Sequence, residues 1–136
     1  MSTLGVTYME LAEKLHELVR DQAEWSQATF GTDEIRGPFG ALRHLELEAR
    51  EAWDAAMKVK AAQVNPGESG NLPAAKSALK VELADCFLLL LDASRRAGVK
   101  PMQLIEAAQE KMKVNRARTW PVPADDGPIE HLKEGA

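Results

Sequence analysis

ELADCFLLLLDASRRA, residues 82–97, holds five consecutive apolar side chains, Phe87–Leu91, in a stretch with no Gly or Pro. On a helix such a run leaves no polar face for water, which predicts burial on every side and a central place in a helical bundle. Working outward, the helix reads as about Ala74–Ala97, with Gly98 as its C-terminal stop. Pro101 stands where proline suits the first turn of a fourth helix, running to roughly Thr119. Trp120-Pro121-Val122-Pro123 halts that helix, and Pro128–Leu132 offers one short turn in the tail.

The N-terminal half is helical as well. Thr7 followed by Glu10 is a capping-box pattern, and Met9, Ala12, Leu15, Val19 and Gln22 keep helical spacing behind it. This first helix is expected to end near Ala23–Gln27. Residues 30–40 contain three glycines and a proline and read as a loop. A second helix is expected from near Phe39 to about Gln63, with Leu42, Leu45, Ala49, Ala52, Trp53 and Ala56 on one face. Asn65–Pro73 is a Gly/Pro/Asn-rich linker; it lacks the Lys-Ser/Thr pair of a phosphate-binding loop. The fold expected is an all-α four-helix bundle, one domain over residues 1–136 with a short tail at 121–136.

Length and charge bound the function. At 136 residues the chain is one domain's worth. Seventeen basic against 21 acidic residues leave a net charge of -4, which argues against a nucleic-acid backbone binder. A single cysteine, Cys86, excludes an intramolecular disulfide and a cysteine-based zinc site. The longest apolar run, Cys86–Leu91, is far short of the roughly 18 residues of a membrane span. Met1–Gly5 shows no signal-peptide pattern, so a soluble, cytoplasmic protein is expected.

Two acidic pairs carry the chemistry. Glu48 and Glu51 are three residues apart on the second helix, and Glu82 and Asp85 repeat the spacing on the third. If the two helices run antiparallel, four carboxylates converge, and they would repel unless a cation neutralised them. Oxygen donors favour magnesium, manganese or calcium over zinc. A Glu-x-x-Glu pair alone is commoner as a solvated face; Asp85 is harder to dismiss, because a carboxylate among leucines needs a partner. Asp92 reads as a cap at the exposed end of its helix.

Lys111, Asn115 and Arg118 line one face of the fourth helix, a cationic stripe suited to phosphate; the bland alternative is surface pairing with Glu106 and Glu110. His44 lies one turn before Glu48 and can reach the same pocket. Trp25 and Trp120 are candidates for stacking on a base, although tryptophans at helix ends commonly serve packing. Cys86 has no basic neighbour in sequence and reads as a buried structural thiol.

The order Glu48-x-x-Glu51, thirty residues, Glu82-x-x-Asp85 resembles the signature of MazG-like all-α nucleoside triphosphate pyrophosphohydrolases. Within them, the segments WSQATFG (25–31), HLELEARE (44–51), Lys111 to Asn115, RTWP (118–121) and IEHL (129–132) resemble the small dATP/dGTP pyrophosphohydrolases of phages and bacteria. The resemblance spans about residues 22–133. It implies a four-helix core assembled as homodimers or homotetramers. Glu48, Glu51, Glu82 and Asp85 would bind Mg²⁺, with Mn²⁺ able to substitute, and Glu48 or Glu51 would act as general base. Lys111, Asn115 and Arg118 would contact phosphate and sugar, with Trp25 and His44 also at the substrate. The linker Asn65–Asn71 is longer than in compact bacterial members.

The activity so implied is cleavage of a purine (deoxy)nucleoside triphosphate to monophosphate and pyrophosphate. Resemblance to the phage MazZ branch, which feeds dGMP to 2-aminoadenine nucleotide synthesis, points to dGTP or GTP and to the host cytoplasm. Three alternatives remain open at this point: a dATP or general house-cleaning dNTP pyrophosphohydrolase, a phosphoribosyl-ATP pyrophosphohydrolase, and a non-catalytic helical dimerisation module.

Overall fold

The computed structural model describes residues 5–68 and 70–134. It contains helices α1 (Tyr8–Phe30), α2 (Phe39–Val64), α3 (Leu72–Arg96) and α4 (Pro101–Ala117), with no strand among the described residues. No helix is long and apolar enough to cross a membrane. The chain divides into two compact units, Met1–Pro101 and Met102–Ala136.

Local chemistry sets the helix ends. The Thr7 hydroxyl accepts from the Glu10 amide, and the Glu10 carboxylate accepts from the Thr7 amide, completing the expected capping box. α1 runs past its expected end to Phe30, where Gly31, at φ 107, turns the chain. α3 begins two residues earlier than expected because the Asn71 side chain caps the Ala74 amide. At its other end the Val99 amide donates to the Ser94 carbonyl and the Gly98 amide to that of Arg95. This is a Schellman closure, and it requires the positive φ of 79 that Gly98 adopts.

In the first unit α2 and α3 lie antiparallel, so that Glu51 meets Glu82 while Lys58 lies across from Ala74. The α2 side of this seam is built from alanine: Ala41, Ala52, Ala55 and Ala62 are buried. The bulkier Leu42 and Trp53, expected on the buried face of α2, are exposed instead. Small side chains let the helix backbones approach closely, and larger neighbours are displaced to the flanks. The expectation that Phe87–Leu91 is buried on every side is also corrected. Leu91 is buried, but Leu83, Phe87 and Leu90 form an exposed apolar stripe, because α1 and α2 cover only part of α3.

α1 is tied to α3 by charge rather than by apolar packing. Asp92, expected at an exposed helix end, is buried. Its Oδ1 accepts from Gln22 Nε2 at 2.9 Å and Arg95 Nη2 at 2.6 Å, and its Oδ2 accepts from Arg96 Nε at 2.9 Å. The Arg96 side chain is 1% exposed. Its guanidinium also donates to the Ser26 hydroxyl and to the carbonyls of Gly31 and Arg36. Arg95 pairs in turn with Asp33 and donates to Gln22. No buried side-chain nitrogen or oxygen among the described residues lacks a partner.

In the second unit α4 is followed by a segment that folds back on it. Trp120 Nε1 donates to the Asn115 carbonyl, the Leu132 amide donates to the Thr119 carbonyl at 2.8 Å, and Trp120 packs edge-on against His131. Pro128–Leu132 forms no helix, strand or turn, so the short turn expected there is absent. Trp120 is thus committed to holding the tail.

Burial alone would push the Asp92 carboxyl up, but hydrogen bonds from Ser26, Gln22, Arg95 and Arg96 outweigh it and hold the group far below its ordinary value. A depressed folded-state pKa contributes stability that is present above the unfolded value and lost as pH falls toward the folded one. Asp92→Ala, which leaves the buried Arg96 only the more distant Asp33 carboxylate at 3.6 Å, is expected to cost about 3–5 kcal/mol in urea unfolding at neutral pH. The gap between variant and wild type should narrow in acid, below the ordinary carboxylate pKa.

Candidate functional site: a carboxylate cluster between α2 and α3

The antiparallel seam turns two sequence pairs into one cluster. Glu48, Glu51 and Glu82 each offer a carboxylate oxygen, and these atoms lie within 4.8 Å of one another. Glu48 and Glu82 are partly buried, whereas Glu51 is exposed. Asp85 stands outside this trio, yet its charge is felt at Glu82. Burial raises the Glu82 carboxyl above its ordinary value, and the charges of Glu51, Glu48 and Asp85 push it further the same way. Such a group is destabilised when ionised. A hard divalent cation relieves that, and the all-oxygen donor set suits magnesium or manganese.

Around the cluster, His44 Nε2 sits 2.9 Å from Glu48 Oε1, as their one-turn spacing suggests. Burial, with Glu48, Asp85 and Glu82 close by, raises the Cys86 thiol and so opposes its ionisation. An open cavity of about 440 Å³ adjoins the cluster, lined by Glu51, Asp54, Lys58, Asn71 and Glu82 with several alanines. On the other side a cavity of about 170 Å³ lies among Phe30, Arg36, Gly40, Ala41, His44, Leu89 and Asp92.

Other site residues expected from sequence fall in different settings. Trp25 is 60% exposed and packs edge-on against Phe30, with ring centroids 5.3 Å apart. In the second unit Lys111 is exposed, while Asn115 and Arg118 are partly buried. Glu110 pairs with Lys113, and neither Lys111 nor Arg118 makes an ion pair among the described residues. The bland alternative for the stripe, pairing of Lys111 or Arg118 with Glu106 or Glu110, is therefore absent there. Arg118 also borders a cavity with Thr119, His131 and Lys133. Arg36 and Gly40 went unnoticed in the sequence, where residues 30–40 read only as a loop, and Phe30 entered only as part of the WSQATFG segment. The Asp92-x-x-Arg95-Arg96 spacing did carry a signal, an anion one turn before two cations.

A family model described as dATP/dGTP pyrophosphohydrolase matches residues 68–136, which include Glu82, Asp85, Lys111, Asn115 and Arg118. The chain belongs to the dATP/dGTP pyrophosphohydrolase family. Glu48 and Glu51 lie outside the matched segment, and the fold supplies them from the opposite side of the seam. The Eaa protein of Salmonella phage P22 is 37% identical over 115 residues, covering 85% of this chain. The match spans 29% of that relative's length. No solved structure matches the chain significantly.

The raised Glu82 has a thermodynamic consequence. Because its folded-state pKa lies above the ordinary 4.5, the stability contributed by the protonated carboxyl is present below that value and is lost as pH rises through the folded-state pKa. Glu82→Gln is expected to raise the melting temperature of the metal-free protein near pH 7 and to leave it unchanged near pH 4. Mg²⁺ at about 100 times its Kd should stabilise the wild type by about 2.7 kcal/mol, and much less in acid. Calorimetry with and without chelator reads both.

Proposed function

We propose that this member of the dATP/dGTP pyrophosphohydrolase family hydrolyses purine (deoxy)nucleoside triphosphates to the monophosphate and pyrophosphate, with dGTP the best or equal-best substrate and GTP also accepted. The observation that carries the reading is the meeting of Glu48, Glu51 and Glu82 across the seam in a chain of this family. Glu48, Glu51, Glu82 and Asp85 would hold Mg²⁺, with Mn²⁺ able to substitute. When bound, the cation supplies Lewis acidity: it lowers the pKa of a coordinated water and neutralises charge on the departing pyrophosphate. Glu48 or Glu51 accepts the proton of the water that attacks the α-phosphorus. His44, beside Glu48, orients that carboxylate and borders the substrate.

Lys111, Asn115 and Arg118 are assigned to phosphate and sugar; their charge and their match to the family support this. Trp25 is assigned a supporting place at the base. Residues 1–136 would act as one functional domain in the cytoplasm, that of the host for a phage protein. A role in viral nucleotide metabolism, with dGMP supply for 2-aminoadenine synthesis, belongs to the same proposal; the Salmonella phage P22 relative supports the viral setting alone. The stripe Leu83, Phe87 and Leu90, with Trp53 nearby in character, supports a homodimer or homotetramer, since contiguous exposed apolar surface marks an interface.

Incubation with each common (d)NTP and Mg²⁺ is expected to yield dGMP and pyrophosphate from dGTP at the highest kcat/KM. Orthophosphate in place of pyrophosphate would remove the attack from the α-phosphorus. Glu82→Gln and Asp85→Asn should each abolish turnover with helicity retained; near-wild-type rates in both would sink the site. Light scattering should find a species of two or four chains, and a 14.9 kDa monomer at micromolar concentration would contradict the assembly.

A further inference from the structure

His44 links the 170 Å³ cavity to the carboxylate cluster, since it lines the one and contacts Glu48 of the other. Its size is below the roughly 300–1,000 Å³ of a drug-sized pocket and suits one planar ring system. Phe30 supplies an aromatic wall, and the Arg36 guanidinium lies over that ring, 5.7 Å from its centroid. Arg36 side-chain nitrogens make no hydrogen bond among the described residues, so their fork of donors is available.

Arg36 reaches this place through two features of the backbone. Arg96, anchored by Asp92, donates to the carbonyls of Gly31 and Arg36 and so grips both ends of the turn between α1 and α2. Gly40, in the first turn of α2, leaves room for the guanidinium: a Cβ there would stand 2.9 Å from Arg36 Nη2. A side chain at position 40 would therefore displace the tip of Arg36 and little else.

The geometry points to this cavity as the nucleobase subsite, with Arg36 as the residue that selects guanine; the inference rests on the nucleotide reading above. Guanine presents two adjacent acceptors, O6 and N7, which a guanidinium engages with two parallel hydrogen bonds. Adenine offers N7 beside an amino group, so one Arg36 donor would face another donor. A site built to pair with an acceptor rejects the analogue lacking it, since its own polar group is left unpaired. Leu89 and Phe30 contribute apolar contact that either purine can use.

The test combines two measurements on wild type, Arg36→Ala and Gly40→Ala: kcat/KM for dGTP and dATP with Mg²⁺, and calorimetric binding of dGMP and dAMP. Arg36→Ala is expected to reduce the dGTP:dATP ratio and the dGMP:dAMP affinity ratio at least tenfold. Gly40→Ala should shift both ratios in the same direction without lowering the melting temperature, as alanine favours a helix. Ratios within twofold of wild type in Arg36→Ala overturn the assignment, whatever the turnover. Should the wild type hydrolyse neither triphosphate, the proposed reaction fails by itself, and the binding ratios decide the subsite. A wild type without preference for dGMP, or one whose preference survives Arg36→Ala, overturns it.

Discussion

The Asp92–Arg96 pair is the contact on which the first unit depends. It sits where an ordinary helical domain would place leucines, and it joins α1, the following turn and α3 at one point. Removing two charges from water is costly, and their attraction offsets this only when every remaining donor and acceptor is matched. That condition is met here by Gln22, Ser26, Arg95 and two backbone carbonyls. An apolar contact tolerates sliding, whereas this one has a single satisfactory register. The position of α1 along α3, and of the turn that follows α1, is fixed accordingly.

The site depends on a different kind of contact. Glu48 and Glu51 meet Glu82 because α2 and α3 pair closely through alanines. Close approach is what makes the carboxylates repel one another, and the same approach makes the cluster a fit for a small divalent ion. Repulsion at Glu82 and the proposed hold on a cation thus arise from one distance, set by residues that carry no charge.

What could be read from the sequence follows the range of the interactions. The Thr7–Glu10 capping box and the Gly98 closure are local, with both partners inside a few residues, and both stand as expected. The meeting of Glu48, Glu51 and Glu82 was legible because helix spacing and a short linker bring two helices antiparallel; Asp85, expected with them, stands outside the trio. The ties of Asp92 to Gln22 and of Arg96 to Ser26 span 70 residues each, and no local pattern names such partners. Phe87 and Leu90 misled for another reason: an apolar run signals that a surface must be covered, but not by what. The alanine seam escaped notice because hydrophobic patterning gives most weight to large side chains, and here Trp53 and Leu42 lie off the contact.

The seam also determines how the protein can change over time. Alanine has no rotamers to rearrange, so an enlargement at Ala52 or Ala55 cannot be absorbed by a side-chain flip and must part the two backbones. Parting them separates carboxylates that lie on opposite helices. Mutational drift at these quiet interior positions would therefore register as altered ion affinity before it registered as unfolding. Sequence variation among related chains should be as narrow at these alanines as at the carboxylates they position.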